Sequence, residues 1–356
     1  MQLGILGFPK VGKTTLFNIL TASQQATDKF AASQKTNIGV AQVPDPRLVA
    51  LRDLFSPKKF TRATVDYVDI PGISKGEGAE SIDLGKLRTV DALVHVVRAF
   101  ADPELPHAEG SVDPARDLAS LELELILADH DLVERRIERL KQSAKRGLKP
   151  EEERERALLA DTVLLALESE RPLRDVELQA DDARRLRGFQ LLSAKPMLVV
   201  INVGEGQLRG AVPTQFGWKP GAATEAVVVS APIEQEIAGL PPEEQRDFLG
   251  ELGLAEASVD RLIRASYHLL GLISFFTVGE DEVRAWTIRR GTIAREAAGA
   301  IHSDIERGFI RAEVVPWDDL VRLKSLAAAR TAGVLRLEGK EYEVQDGEVI
   351  HFRFAV

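Results

Sequence analysis

The 356-residue sequence predicts an α/β chain in three parts: a doubly wound, mostly parallel sheet, a helical hairpin inserted into it, and a small β-grasp sheet curled around one helix. Three observations predict this. Short apolar strands alternate with helical patterns over residues 1–100 and again after about residue 189. Between them Leu118, Leu121, Leu125, Leu132, Ile137 and Leu140 recur at helical spacing among dense charges. From Ser274 the pattern turns to short strands around one helix. The expected domains are therefore 1–100 with 189–272, 101–188, and 273–356.

The first strand, Gln2 to Leu6, runs into Gly7-Phe8-Pro9-Lys10-Val11-Gly12-Lys13-Thr14, and Leu16, Phe17, Ile19 and Leu20 continue as an apolar helical pattern. This is GxxxxGKT between a strand and a helix. Backbone N–H groups of such a loop converge on phosphates at the helix N-terminus; Lys10, Val11, Gly12 and Thr15 belong to that cradle. Lys13 reaches the terminal phosphates and the Thr14 hydroxyl ligates Mg²⁺, so a nucleoside triphosphate is the expected ligand.

A second strand, Thr64 to Val68, ends in Asp69-Ile70-Pro71-Gly72. The spacing suits an Asp69 that binds the Mg²⁺ shell and a Gly72 whose N–H meets the γ-phosphate, which favours a GTPase-like domain. Many GTPases carry a water-orienting glutamine at the next position, here Ile73, whose apolar side chain cannot align water. A third strand, Pro196 to Ile201, delivers Asn202-Val203-Gly204-Glu205. A guanine reader would have Asn-Lys-x-Asp. Glu205 is one methylene too long for that carboxylate, Val203 replaces the lysine stem over the base, and adenine lacks the donors the carboxylate would bind, so the pattern points toward ATP. The next strand, Ala226 to Val229, ends in Ser230-Ala231-Pro232, the expected last base-contacting loop.

In the insertion, Arg146-Gly147-Leu148-Lys149-Pro150 separates the leucine-patterned helix from a second charged helix, about Glu151 to Glu168. The two form an antiparallel hairpin. Arg135, Arg136, Arg139, Lys141, Lys145, Arg146 and Lys149 approach its tip, either as a solvated helix end complementing the helix dipole or as a contact to RNA phosphates. In the C-terminal part, Phe275 to Val278 and Val283 to Ile288 read as a hairpin, Ala294 to Glu306 as a helix, Ile310 to Val315 as a strand, and Leu335 to Phe354 as further short strands.

The formal charge of −9 argues against indiscriminate nucleic-acid or membrane binding, and specific DNA is not an expected partner. Cysteine is absent, which rules out disulfides and thiol chemistry and is compatible with a cytoplasmic protein. No apolar stretch reaches transmembrane length.

Several longer words carry a family resemblance: Asn37-Ile38-Gly39-Val40, Val43-Pro44-Asp45-Pro46-Arg47-Leu48, Ser74-Lys75-Gly76-Glu77-Gly78, His95-Val96-Val97-Arg98-Ala99-Phe100 and Gly308-Phe309-Ile310-Arg311-Ala312-Glu313. With the motifs above, the chain resembles the YchF or Obg-like ATPase family over essentially its whole length. The resemblance implies slow, Mg²⁺-dependent ATP hydrolysis, nucleotide-dependent ribosome binding, a coiled-coil-like helical insertion and a C-terminal TGS domain. It implies a metal shell of Thr14, Asp69 and Ser33, with Thr36 the alternative to Ser33, and a histidine, here His107, in place of the missing glutamine. Lys10 departs from the family's usual asparagine, which in related enzymes lacking the catalytic glutamine helps hold a potassium ion. The lysine ammonium would stand in for that ion, or the side chain is simply solvated. The second switch is also shorter than the family pattern. A GTPase and a non-hydrolysing, nucleotide-gated adaptor remain the alternatives.

Overall fold

A computed structural model of the chain describes residues 1–21, 37–70, 84–107, 110–144, 147 and 149–355. Ser33, Thr36, Gly72, Ile73, the 74–78 stretch, Lys145 and Arg146 lie outside the described residues. Two compact units form, one from Met1–Gly39 and Asp66–Ala265, the other from Val40–Val65 and Ser266–Val356. In chain order the strands are β1 (Gln2–Leu6), β2 (Asn37–Gln42), β3 (Lys59–Thr61), β4 (Thr64–Asp69), β5 (Ala92–Arg98) and β6 (Met197–Asn202). They continue with β7 (Thr224–Val229), β8 (Leu272–Thr277), β9 (Glu282–Arg289), β10 (Phe309–Pro316), β11 (Arg336–Glu338) and β12 (Glu348–Phe354). The helices used below are α1 (Lys13–Thr21), α2 (Pro46–Phe55), α3 (Leu84–Thr89) and α4 (Pro114–Ala144).

The first sheet has the order β2-β4-β1-β5-β6-β7. β1 runs parallel to β4 and β5, β5 to β6, and β6 to β7. Every residue of β5 and β6 is buried, as expected for strands covered on both faces. Parallel pairing also brings the C-terminal ends of β1, β4, β6 and β7 to one edge of the sheet, the usual ligand crevice of such folds.

In the insertion, α4 extends over 31 residues. Ile126, Val133, Ile137 and Leu140 on its inner face pack with Leu158, Leu159, Val163 and Leu167 of the returning helix. That helix starts at Pro150, where Glu152 accepts from the Lys149 N–H at 2.9 Å, and passes through a π-helical stretch at Leu159–Leu164 before ending at Glu168. The middle of α4 is pinned by Asp129, whose fully buried carboxylate accepts from Leu192 N (3.0 Å), Ser193 N (2.7 Å), Ser193 Oγ (2.8 Å) and Arg88 Nη1 (2.9 Å). A buried carboxylate with that many donors is tolerated because its lone pairs are satisfied.

In the second unit, the β8–β9 hairpin is antiparallel, β12 returns parallel to β8, and β10 pairs antiparallel with both β12 and β11. With the helix Ala294–Ile301 packed on one face, this is the β-grasp arrangement. Phe352 meets Phe275 edge-on with ring centroids 5.8 Å apart, and Trp286 stacks on the same ring at 6.4 Å. The single helix expected from Ala294 to Glu306 is two, because His302 is extended (φ −163°, ψ 143°) and its Nδ1 accepts from Asp304 N to cap Ser303–Arg307. A strand not foreseen from sequence, β3, adds to β9 in parallel. Within this unit Arg47 of α2 bridges Asp45 and Asp346. No helix of the described residues is long and apolar enough to cross a membrane.

Candidate nucleotide site

The loop after β1 has the backbone that its glycines predict. Gly7 (φ 149°) has no room for a side chain, since a Cβ would lie 2.4 Å from the Val96 carbonyl oxygen. Gly12 (φ 98°) would meet Asn202 Nδ2 at 2.5 Å. Lys10 adopts the left-handed region without being glycine (φ 63°), and it is exposed. Val11 is buried, while Thr15 lies half-buried in the first turn of α1.

Lys13 is 8% exposed and its Nζ donates to two carbonyls of its own loop, Gly7 O at 2.9 Å and Phe8 O at 2.7 Å. Burial brings its ammonium down to about 8, an effect partly offset by the Asp69 charge. Asp69, at the end of β4, accepts from Thr14 Oγ1 at 3.3 Å. Burial pushes the Asp69 carboxyl above its ordinary range, opposed by Lys13 and the Thr14 hydroxyl. Two hard oxygen donors side by side, one a carboxylate made costly by burial, suit a divalent cation such as Mg²⁺.

Asn202 ties three loops together. Its Nδ2 donates to Val11 O at 3.0 Å and its Oδ1 accepts from Ala231 N at 3.1 Å, and it is 4% exposed. Val203 is fully buried and donates its N–H to Val229 O at 2.8 Å, whereas Glu205 is exposed at the start of a single 3₁₀ turn, Glu205–Gln207. Ser230 precedes the helix Ala231–Gly239, with Pro232 in its first turn, and the buried Ser230 Oγ has no hydrogen-bond partner among the described residues. Direct contacts thus join Thr14 to Asp69, and Asn202 to both Val11 and Ala231, on either side of the Lys13 loop.

His107 stands in the loop between β5 and α4. Its Nε2 lies 2.9 Å from Asp117 Oδ2, with side-chain exposures of 4% and 1%, so this histidine is packed inward rather than solvated. Three residues were given no role by the sequence. Asp117 is one; its signal was an acidic residue in the first turn of α4. Arg98 is another: it is buried, and its guanidinium donates to Phe100 O (3.0 Å), Leu105 O (2.9 Å) and Asp102 O (3.3 Å), gathering the loop that leads to His107. The third is His95 in β5, whose imidazole burial brings down to about 3, helped by the Arg174 and Lys13 charges, leaving it neutral. Nothing in the spacing of β5 distinguishes His95 from an ordinary core position.

At the hairpin tip, the expected cation cluster is partly committed within the protein. Arg136 Nε and Nη2 donate to the Glu155 carboxylate at 2.7 and 3.1 Å, Arg135 Nε donates to Asp131 O at 3.0 Å, and Lys141 Nζ lies 3.9 Å from Glu138.

Comparison with known proteins agrees with this geometry. Residues 2–129 match a family model described as a 50S ribosome-binding GTPase, and residues 272–355 match the YchF-GTPase C-terminal model, described as a protein of unknown function. The chain is 46% identical to the ribosome-binding ATPase YchF of Bacillus subtilis over the whole of both chains. It is 38% identical to Obg-like ATPase 1 of rice, covering all of this chain and 92% of that one. The solved structure of the Schizosaccharomyces pombe YchF GTPase superposes with a TM-score of 0.86 at 32% identity, covering 99% of this chain and 97% of that one. The chain belongs to the YchF family, in which a P-loop domain of the GTPase fold carries a long helical insertion and a C-terminal domain.

Proposed function

We propose that this protein is a cytoplasmic, Mg²⁺-dependent ATPase that binds ATP in preference to GTP, hydrolyses it slowly, and docks on the ribosome according to its nucleotide state. In this reading residues 1–100 and 189–272 are the nucleotide domain, 101–188 the helical arm, and 273–356 a TGS-type docking domain. The names of the relatives, ribosome-binding ATPase among them, support it.

The observation that carries the nucleotide choice is the arrangement after β6. Asn202 joins the phosphate loop to the last base loop, so the base would lie beside Val203 and Glu205. Val203 is buried and offers no stem over a base, and Glu205 is exposed on its 3₁₀ turn. Neither supplies the buried carboxylate that guanine's N1 and N2 donors would require.

Lys13 would exchange its two loop carbonyls for the β- and γ-phosphate oxygens, and the loop N–H groups would hold the rest of the chain of phosphates. Thr14 and Asp69, with Ser33 or Thr36 and the Gly72 N–H from outside the described residues, would complete the metal and γ-phosphate shell. The metal, when bound, offsets the negative charge on the phosphates. His107 would take the proton of the attacking water, and Ile73 in place of glutamine would keep turnover slow. Lys10 would supply the monovalent charge that potassium provides in related enzymes, so turnover would be indifferent to potassium.

The test is competition between ATP and GTP on the full chain, with phosphate release from the same sample and ribosome co-sedimentation with each nucleotide. The proposal expects tighter ATP binding, slow release and nucleotide-dependent sedimentation. Preference for GTP would make the protein a GTPase, and binding without release would make it a nucleotide-gated adaptor.

A further inference from the structure

We infer that Asp117, steadied by Arg116, is a latch that holds the His107 imidazole packed against the first turn of α4, and that His107 leaves this latch to reach the attacking water. The inference rests on the reading of His107 as the water-activating group.

A general base has to touch the water it deprotonates. His107 as placed cannot do so: its side chain is 4% exposed, its Nε2 faces Asp117 Oδ2 at 2.9 Å, and the Asp117 side chain is itself 1% exposed. An imidazole lining an open substrate site would be reachable from solvent, and this one is not.

The carboxylate that faces it is fixed from behind. Arg116 Nε and Nη2 donate to Asp117 Oδ1 at 3.1 and 2.9 Å, and the same guanidinium donates to Ser111 Oγ (3.1 Å) and Ser111 O (2.7 Å). One oxygen of Asp117 is thus committed to Arg116 while the other is turned to His107. The position in the first turn of α4 further favours a carboxylate, because the helix dipole presents partial positive charge there.

The chain before His107 is clamped as well, by the three carbonyl contacts of Arg98 and by stacking of its guanidinium 4.6 Å from the centre of the Phe100 ring. His107 therefore stands between two fixed points, the Arg98 anchor and Asp117. Release at Asp117 frees the imidazole without dismantling the Arg98 anchor. The latch makes turnover a two-state matter, in which the fraction of molecules with His107 released scales the rate.

The experiment uses the full chain and diethyl pyrocarbonate, which acylates accessible imidazoles, read at each histidine by peptide mass spectrometry. In the unmodified protein His107 should react roughly tenfold more slowly than His302, whose side chain is 62% exposed. Asp117→Asn keeps the shape and removes the charge, and should speed acylation of His107 while raising ATP turnover roughly threefold at unchanged ATP affinity. Equal labelling of His107 and His302 in the unmodified protein overturns the latch, even if the variant fails to fold. A variant that labels faster at His107 yet turns over more slowly also overturns it, making Asp117 an orienting group instead. Unchanged turnover in His107→Ala would remove the catalytic reading, whereas the labelling would still decide whether Asp117 buries the histidine.

Discussion

The phosphate loop and the hairpin tip both announce themselves in the sequence by clustered, distinctive residues, yet the structure treats them in opposite ways. At the loop, Gly7 and Gly12 leave no space for a Cβ, and Lys13 and Asn202 are buried with their polar atoms placed against named partners. At the tip, the arginines sit on a helix surface and find partners wherever one lies within reach: Glu155 for Arg136, a backbone carbonyl for Arg135. Steric and desolvation constraints define a site, whereas charge on a solvated helix defines only a tendency.

Four substitutions or conditions test that contrast. The largest effect is expected at Lys13→Ala, which should weaken ATP binding by roughly 100-fold or more while leaving the fold intact, since the loop would lose its buried cation. Isothermal titration with a parallel circular-dichroism melt measures both, and retained affinity would undo the assignment of the loop. Gly12→Ala should come next. Its Cβ would collide with Asn202 Nδ2 in a backbone region disfavoured for alanine, costing about 1–3 kcal/mol and separating the phosphate loop from Asn202. A variant as stable as the parent in urea, with normal affinity, would mean that the loop tolerates a side chain there.

Smaller in size is the pH response of Lys13. Its ammonium is brought down to about 8 in the folded protein from an ordinary 10.5, so between those values the unfolded chain holds a proton that the folded one has lost. The contribution of this group to stability therefore rises with pH across that window, while ATP affinity falls by up to about tenfold per pH unit above 8 as the cation disappears. Titrations from pH 7 to 10 check the sign; a flat affinity would place the Lys13 transition elsewhere. The smallest effect belongs to the tip. Replacing Arg135, Arg136 and Arg139 with glutamine should cost only about 0.5 kcal/mol in stability, through the half-exposed pair with Glu155. If the tip meets RNA, the same variant lowers the salt slope of ribosome co-sedimentation by about one unit for every phosphate that the arginines had neutralised. An unchanged slope returns these arginines to an ordinary solvated helix.

Much of the fold could be read directly from residue order. Alternating apolar runs placed β1, β4, β6 and β7, and the leucine spacing placed α4, because both signals depend on local periodicity. The break in the helix after Ile301 was not legible, since it depends on the His302 side chain capping the next turn. Nor was β3, three residues long, whose pairing with β9 joins positions more than two hundred residues apart. In the site, GxxxxGKT, Asp69 and Asn202 could be named from spacing, but the contacts that Asn202 makes to Val11 and Ala231 could not.

The phosphate loop, the strand–loop–helix order around it and the departure from a guanine-reading motif are written in the residue order alone, because each rests on residue types at fixed short spacing. Folding in three dimensions is what packs His107 against Asp117, lets Arg98 gather the preceding loop, and makes His95 a buried neutral imidazole. Burial and charge proximity depend on which distant segments share a volume, and no local pattern encodes that.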